Sequence, residues 1–122
     1  MDIEGAEYSI LAATDDVLIS KFAMIVIEFH YLAGLCYRGM FPLIDAAFRK
    51  ILKNHFVAHI HVNNSGRVVP YKGIDIPDTL EITFLHKNIY DQHQHPNFKS
   101  PHRLDIRCLD YIPEVPVPKS WW

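Results

Sequence analysis

The alternation of apolar and polar positions predicts a series of strands and helices followed by an irregular tail. Short apolar or alternating runs predict β-strands at Ala23 to Phe29, Phe56 to Val62 and Leu80 to His86. The first run is nearly unbroken and rich in Ile and Val, which is typical of a strand covered on both faces. Apolar residues at helical spacing predict a helix of about three turns over Leu43 to Lys53.

The two ends of the chain have different patterns. Good helix formers predict a helix over Ala6 to Ala13, and Asp2 to Glu4 before it is typical of the end of a strand. A turn-rich stretch from Asn63 to Asp78 contains no long helix, which favours an antiparallel return of the last strand. We therefore divide the chain into an α/β domain over residues 1–87 and a Pro/His-rich irregular tail over residues 88–122, which we expect to wrap over the domain.

The strand–helix–strand unit in the middle of the chain predicts parallel strands, because such crossovers are right-handed. The expected fold class is thus α/β, with parallel strands plus an antiparallel last strand. Ligands of open α/β sheets bind outside the carboxyl ends of the parallel strands, so we expect the polar residues there to converge at one edge. These residues are Asp2, Glu4, Glu28, His30, His61, Asn63 and Asn64.

Each candidate also has a purely structural interpretation. Asp2 and Glu4 could be acids that favour the start of a helix, and Glu7 is best interpreted as a first-turn partner of the helix dipole. Glu28 and His30 could be a functional pair or a structural hydrogen-bonded pair, since a buried charge needs a partner in both cases.

The remaining histidines give a weaker signal. His59 and His61 share one face of a predicted strand, a spacing that can hold a metal, but the sequence offers no obvious third ligand. His93 and His95 lie in a Pro-rich loop and are expected to be exposed.

Composition and charge exclude several classes of function. With 12 Lys+Arg against 14 Asp+Glu, the chain has no broad basic surface for nucleic acid. No apolar run has the length of a membrane span, and the N-terminus lacks the basic and apolar regions of a signal peptide. Cys36 and Cys108 form no metal or redox motif, so we expect free thiols and a cytoplasmic location. Phosphate-binding loops and nucleophile elbows are also absent from the sequence.

One short segment carries a family resemblance. Asp2-Ile3-Glu4-Gly5-Ala6-Glu7 resembles the Asp-x-Glu-Gly-Ala-Glu signature of FkbM-type S-adenosylmethionine-dependent methyltransferases, at the end of their fourth strand. Ile25 to His30 resembles the family's fifth strand, and Leu43 to Lys53 resembles the helix after it. His59 to Asn64 resembles the sixth strand with its loop, and Ile76 to Phe84 resembles the entry to the antiparallel seventh strand. The resemblance covers about residues 1–87.

The resemblance implies the C-terminal half of a Rossmann-like class I methyltransferase sheet. It implies O-methylation of a sugar or another small polar acceptor, with S-adenosylmethionine as the cofactor. The family's Gly-rich loop and its ribose-binding acid are absent from this sequence, so we expect the chain to be incomplete on its own. We also expect self-association through an uncovered sheet edge.

The resemblance further implies roles for the candidate residues. Asp2 and Glu4 would lie near the cofactor, and Asp2, His30 and His61 are the catalytic candidates, with the general base unassigned. Glu28, Asn63 and Asn64 would contact the acceptor. Two alternatives stay open: a non-catalytic binding or interaction domain, and a small metal-dependent hydrolase that uses His59, His61 and nearby carboxylates.

Overall fold

The computed structural model describes residues 1–90 and 100–121, which form three α-helices and five β-strands. His93 and His95, which the sequence predicts to be exposed, lie outside the described residues. In chain order the elements are α1 (Glu7–Ala13), α2 (Asp16–Ile19), β1 (Met24–Phe29), α3 (Phe41–Asn54), β2 (His55–Val62), β3 (Val68–Tyr71), β4 (Ile74–Pro77) and β5 (Leu80–His86), with 3₁₀ turns at Leu32–Cys36 and Lys119–Trp121.

Two helices form the layer that covers the sheet. In α3, Ile44, Ala47 and Ile51 are fully buried at helical spacing, and Pro42 occupies the first turn, where a missing N–H costs no hydrogen bond. This helix contains the predicted segment and extends beyond it at both ends. It packs against α1, whose Tyr8 and Leu11 are buried.

The main sheet has the order β1–β5–β2, and both pairings are antiparallel. The prediction of a Rossmann-like sheet of parallel strands is therefore wrong. Because β1 and β2 are each antiparallel to β5, they run in the same direction, but β5 separates them. The apolar pattern identifies strands and carries no information on their order, and the helix-free connection after β2 allows β5 to return between the two earlier strands.

Strand β1 lies at the edge of this sheet. The prediction that it is covered on both faces is wrong. Met24 and Val26 are 53% and 50% exposed, whereas Ile27 and Phe29 are fully buried. Along its outer edge the terminal ammonium of Met1 donates to the Val26 carbonyl at 2.6 Å, and the Glu28 N–H donates to the Met1 carbonyl at 2.9 Å.

The turn-rich stretch between β2 and β5 contains a hairpin that the sequence did not predict. Strands β3 and β4 pair antiparallel from Val68 to Tyr71 and from Ile74 to Pro77. Lys72 and Gly73 between them both have positive φ, 50° and 83°, as in the two-residue turns that match strand twist.

The core lies between the sheet and the α1–α3 layer. Its aromatic centre is Phe29, which stacks on Tyr8 and Phe48 with ring centroids 5.5 and 4.8 Å apart and contacts Phe84 edge to face at 6.3 Å. No helix in residues 1–90 and 100–121 has the length and apolar character needed to cross a bilayer.

Residues of the C-terminal segment contact this domain. Val117 is buried in the core, and the Trp121 indole N–H donates to the Asp75 carbonyl of β4 at 3.0 Å.

Candidate functional site

Four carboxylates surround the imidazole of His30, the residue that follows β1. The Nδ1 atom lies 3.0 Å from Oε1 of Glu7. The Nε2 atom lies 3.4 Å from Glu4 Oε2, 3.9 Å from Asp2 Oδ1 and 4.0 Å from Glu28 Oε2. We call these five residues the His30 cluster.

Glu7 contacts His30 from the protein interior. It is the first residue of α1 and is fully buried. Its Oε1 accepts the N–H groups of Ile3 and Gly5 at 3.2 and 3.1 Å, in addition to its contact with His30. Burial alone would raise the pKa of Glu7, but these hydrogen bonds outweigh burial and lower it. An ionised Glu7 can only accept, so Nδ1 of His30 carries the proton and donates it.

The backbone beside the cluster adopts uncommon conformations. Glu4 and Tyr31 both have φ of 55°, although neither is glycine, and Gly5 has φ of 104°. A Cβ atom on Gly5 would lie 2.6 Å from Cε2 of Tyr31. Sparsely populated φ values of this kind concentrate at functional sites, and here they orient the Asp2–Glu7 segment towards His30.

Asn63 joins the cluster from the end of β2. Its side-chain Nδ2 donates to Glu28 Oε1 at 2.5 Å, and its Oδ1 accepts the Ser65 N–H at 2.9 Å. Glu28 lies in β1, so this hydrogen bond links the ends of the two strands that run in the same direction.

The cluster concentrates negative charge on one imidazole. Burial lowers the pKa of His30, but the hydrogen bond to Glu7 and the charges of Glu7, Glu28 and Glu4 outweigh it, so the pKa is raised above its ordinary value. Among the described residues, the ion pairs of these four carboxylates are made to His30 and none to Lys or Arg. The arrangement therefore favours a cation, either a proton on His30 or a bound positive group.

Two of the predicted site residues lie elsewhere. His61 contacts Glu114 and Glu81, with Nε2···Oε1 at 2.8 Å and Nδ1···Oε2 at 3.4 Å. Asn64 is buried, and its Nδ2 donates to the carbonyls of Leu109 and Ile112 at 2.8 Å each. Both residues attach the C-terminal segment to the sheet.

The pair His59 and His61 does not form the metal site that the sequence left open. His59 Nε2 lies 2.7 Å from Oδ1 of Asp105, and His61 has the contacts above. Over the part of the chain that the structure describes, the group of three metal-ligand side chains that meets within 4.8 Å consists of Asp2, Glu28 and His30.

Sequence reasoning missed three residues that determine these contacts. Glu7 was interpreted as a partner of the helix dipole, whereas its side chain is directed at His30. The available signal was that Glu7 lies two residues after Gly5, at the predicted end of a strand. Asp105 and Glu114 come from the irregular C-terminal segment, where no periodicity marks them.

Comparisons of the chain with protein-family models, with curated proteins and with solved structures find no match.

Proposed function

We propose that this chain contributes part of an S-adenosylmethionine-dependent methyl-transfer site that acts on a hydroxyl of a sugar or another small polar acceptor. One observation supports the proposal above others. The segment that carries the family resemblance, Asp2 to Glu7, supplies three of the four carboxylates around His30.

The charge of the cluster fits the cofactor. S-adenosylmethionine supplies an electrophilic methyl group on a positively charged sulfonium and carries a second positive charge on its amino group. Asp2 and Glu4 are 58% and 81% exposed, and they present carboxylates to solvent without a Lys or Arg ion pair among the described residues. These two residues would hold the positive end of the cofactor.

The rest of the cluster suits the acceptor side. Asn63 donates to Oε1 of Glu28. This hydrogen bond orients Oε2 of Glu28 and the second N–H of the Asn63 amide for contact with a hydroxyl. A carboxylate or imidazole within hydrogen-bond reach of that hydroxyl would accept its proton. His61 and Asn64 take no part in the proposal, because the C-terminal segment occupies their polar atoms.

A comparison of two ligands tests this proposal. S-adenosylhomocysteine lacks the sulfonium charge, so we expect it to bind more weakly than S-adenosylmethionine in an NMR titration of the full chain. We expect the dissociation constant for S-adenosylmethionine to be higher than about 0.1 mM, which corresponds to a binding free energy of about 5.5 kcal/mol. The reason is that no Gly-rich loop is present in the sequence. The shifted amide signals should lie in residues 2–7, 28–30 and 63.

Glu4→Gln provides the matched variant, since its exposed side chain makes no contribution to the core. It should reduce the preference for S-adenosylmethionine at least threefold, whereas Asp45→Asn, an exposed change on α3, should leave it intact. Equal binding of both ligands, or shifts scattered over the molecule, would refute the proposal.

We further propose that two copies of the chain associate through β1, which is consistent with a small-molecule enzyme that works as an oligomer. An open apolar groove beside this strand includes Ile10, Leu18, Phe22 and Met24, all about half exposed. On the outer edge of β1, Met1 bonds the Val26 carbonyl and the Glu28 N–H, and the apolar groove beside the strand stays exposed, so a second copy would pack against this groove and extend the edge beyond Met1. The free thiols of Cys36 and Cys108 support a cytoplasmic location.

A further inference from the structure

We propose that Asp2, Glu28 and His30 form a binding site for one divalent transition-metal ion, best represented by Mn²⁺. Their ligand atoms, a carboxylate oxygen from each acid and a ring nitrogen of the histidine, lie within 4.8 Å of one another. Mixed carboxylate and imidazole ligands suit ions between the hard and borderline classes, of which Mn²⁺ accepts both types. This inference does not depend on the proposed methyl transfer.

The distances within the site are longer than hydrogen bonds and leave room for an ion between the side chains. Nε2 of His30 lies 3.9 Å from Asp2 Oδ1 and 4.0 Å from Glu28 Oε2, beyond the range of a hydrogen bond. Two atoms that each lie about 2.1 Å from one ion are about 3.0 Å apart at adjacent octahedral positions and about 4.2 Å apart at opposite ones. The two separations from Nε2 fall between these values, and the Asp2 and Glu28 oxygens lie within 4.8 Å of each other, so small side-chain movements would bring all three atoms to one ion.

Two of the proposed ligands, His30 and Glu28, are each oriented by a further residue. Glu7 accepts the Nδ1 proton of His30, which leaves the lone pair on Nε2 directed at the carboxylates. Asn63 donates to Oε1 of Glu28 and leaves Oε2 for the ion. Carboxylate–histidine and amide–carboxylate contacts of this kind are typical of the residues that surround a metal's direct ligands.

A buried, unpartnered oxygen gives independent support. Oε2 of Glu7 has no hydrogen-bond partner, although the side chain is fully buried and directed at His30. A buried carboxylate oxygen without a hydrogen-bond partner is costly unless a positive group lies close to it. An ion on Nε2 of His30 would supply that charge through the imidazole, while Glu4, whose Oε2 is 3.4 Å from Nε2, would stand beside the ion.

The test is a titration of the full chain with MnCl₂, monitored by the EPR signal of free Mn²⁺. We expect one ion per chain with a dissociation constant below about 100 µM, and we expect Asp2→Asn and His30→Gln each to weaken binding at least tenfold. Asp2 is 58% exposed, so its variant should fold normally, and circular dichroism would confirm this. The control Asp45→Asn should bind as the parent chain does.

A second readout locates the ion. Bound Mn²⁺ should broaden the amide signals of residues 2–7 and 28–30 and leave those of β3 and β4 unchanged. Binding that is insensitive to Asp2→Asn, or no binding below 1 mM, would overturn the proposal and leave a protonated His30 as the partner of the carboxylates. Asp2 and Glu28 belong to both proposals, so the Mn²⁺ titration is made without S-adenosylmethionine and the ligand comparison at Glu4 is made in the presence of EDTA. Each proposal then fails on its own result.

Discussion

Gly5 is the residue on which the geometry of the His30 cluster depends most directly. Its φ is 104°, and the ring of Tyr31 occupies the space that a side chain would need. The residues on either side of it, Glu4 and Ala6, lead into the cluster and into α1. A side chain at this position would therefore disturb the contacts of both.

We expect Gly5→Ala to lower the free energy of unfolding by about 1–3 kcal/mol, through its positive φ and the contact with Tyr31. Urea denaturation measures the change. Gly39→Ala is the control, because a Cβ atom on Gly39 meets nothing within 4 Å, and it should alter stability by less than about 0.5 kcal/mol. Equal effects of the two substitutions would show that Gly5 tolerates a side chain.

His61 should make stability depend on pH. Burial lowers the pKa of His61, but the hydrogen bonds to Glu114 and Glu81 outweigh it and raise the pKa above 6.5. The contribution is fully present below pH 6.5 and is lost as the pH rises through the folded-state pKa. Glu114→Gln should therefore cost about 1 kcal/mol at pH 6 and much less at pH 9.

Thermal unfolding at the two pH values checks this expectation. Asp45→Asn removes an ion pair with Arg49, whose charge does not change over this range, so its effect should be the same at both. A Glu114→Gln effect that does not change with pH would contradict the assignment of His61.

At the scale of the single residue, the sequence indicated part of the candidate site. The sequence predicts that Asp2, Glu4, Glu28, His30 and Asn63 converge because they lie at the expected ends of strands. The structure brings these five together, although its sheet is antiparallel. Glu7 is an acid of the first turn of α1, as predicted, but nothing in the pattern distinguishes such an acid from one whose side chain also turns inwards to His30. The partners of His61 could not be found, because they come from a segment without periodicity.

At the scale of the element, β5 determines the sheet. Leu80, Ile82 and Phe84 are buried at every second position of this strand. That alternation is a local property of the sequence, and the predicted bounds Leu80 to His86 agree with the structure. Which strands lie beside it depends on contacts between distant segments, and for this reason the parallel arrangement was predicted wrongly.

The exposed edge of β1 provides a prediction at this scale. Val26→Lys places a charge on the strand edge beside the apolar groove, so it should prevent pairing between copies without affecting the buried side of the strand. Light scattering at micromolar concentration should report a dimer or larger species for the parent chain and a monomer for the variant. Val17→Lys, a change at an exposed position on α2, should leave the association unchanged. A monomeric parent chain would refute self-association through β1.

At the scale of the whole molecule, the chain from Ser100 onwards is attached to the sheet at several points. Asp105 contacts His59 and Glu114 contacts His61, and the Asn64 side chain donates to the carbonyls of Leu109 and Ile112. The His30 cluster receives none of its five members from this segment. The candidate site and the attachment of the C-terminal segment are thus separate features of one small fold.

The insertion of β5 between β1 and β2 has a consequence for the order of folding. Met24 pairs with Leu85, and His55 pairs with His86, so neither earlier strand acquires its neighbour in the finished sheet until the last strand has been synthesised. The β3–β4 hairpin, whose strands are close in sequence, can close within microseconds. The central sheet instead has a high contact order, so its formation is slow compared with the hairpin. A nascent chain on the ribosome would therefore expose the apolar face of β1 during the synthesis of about sixty residues and that of β2 during about thirty.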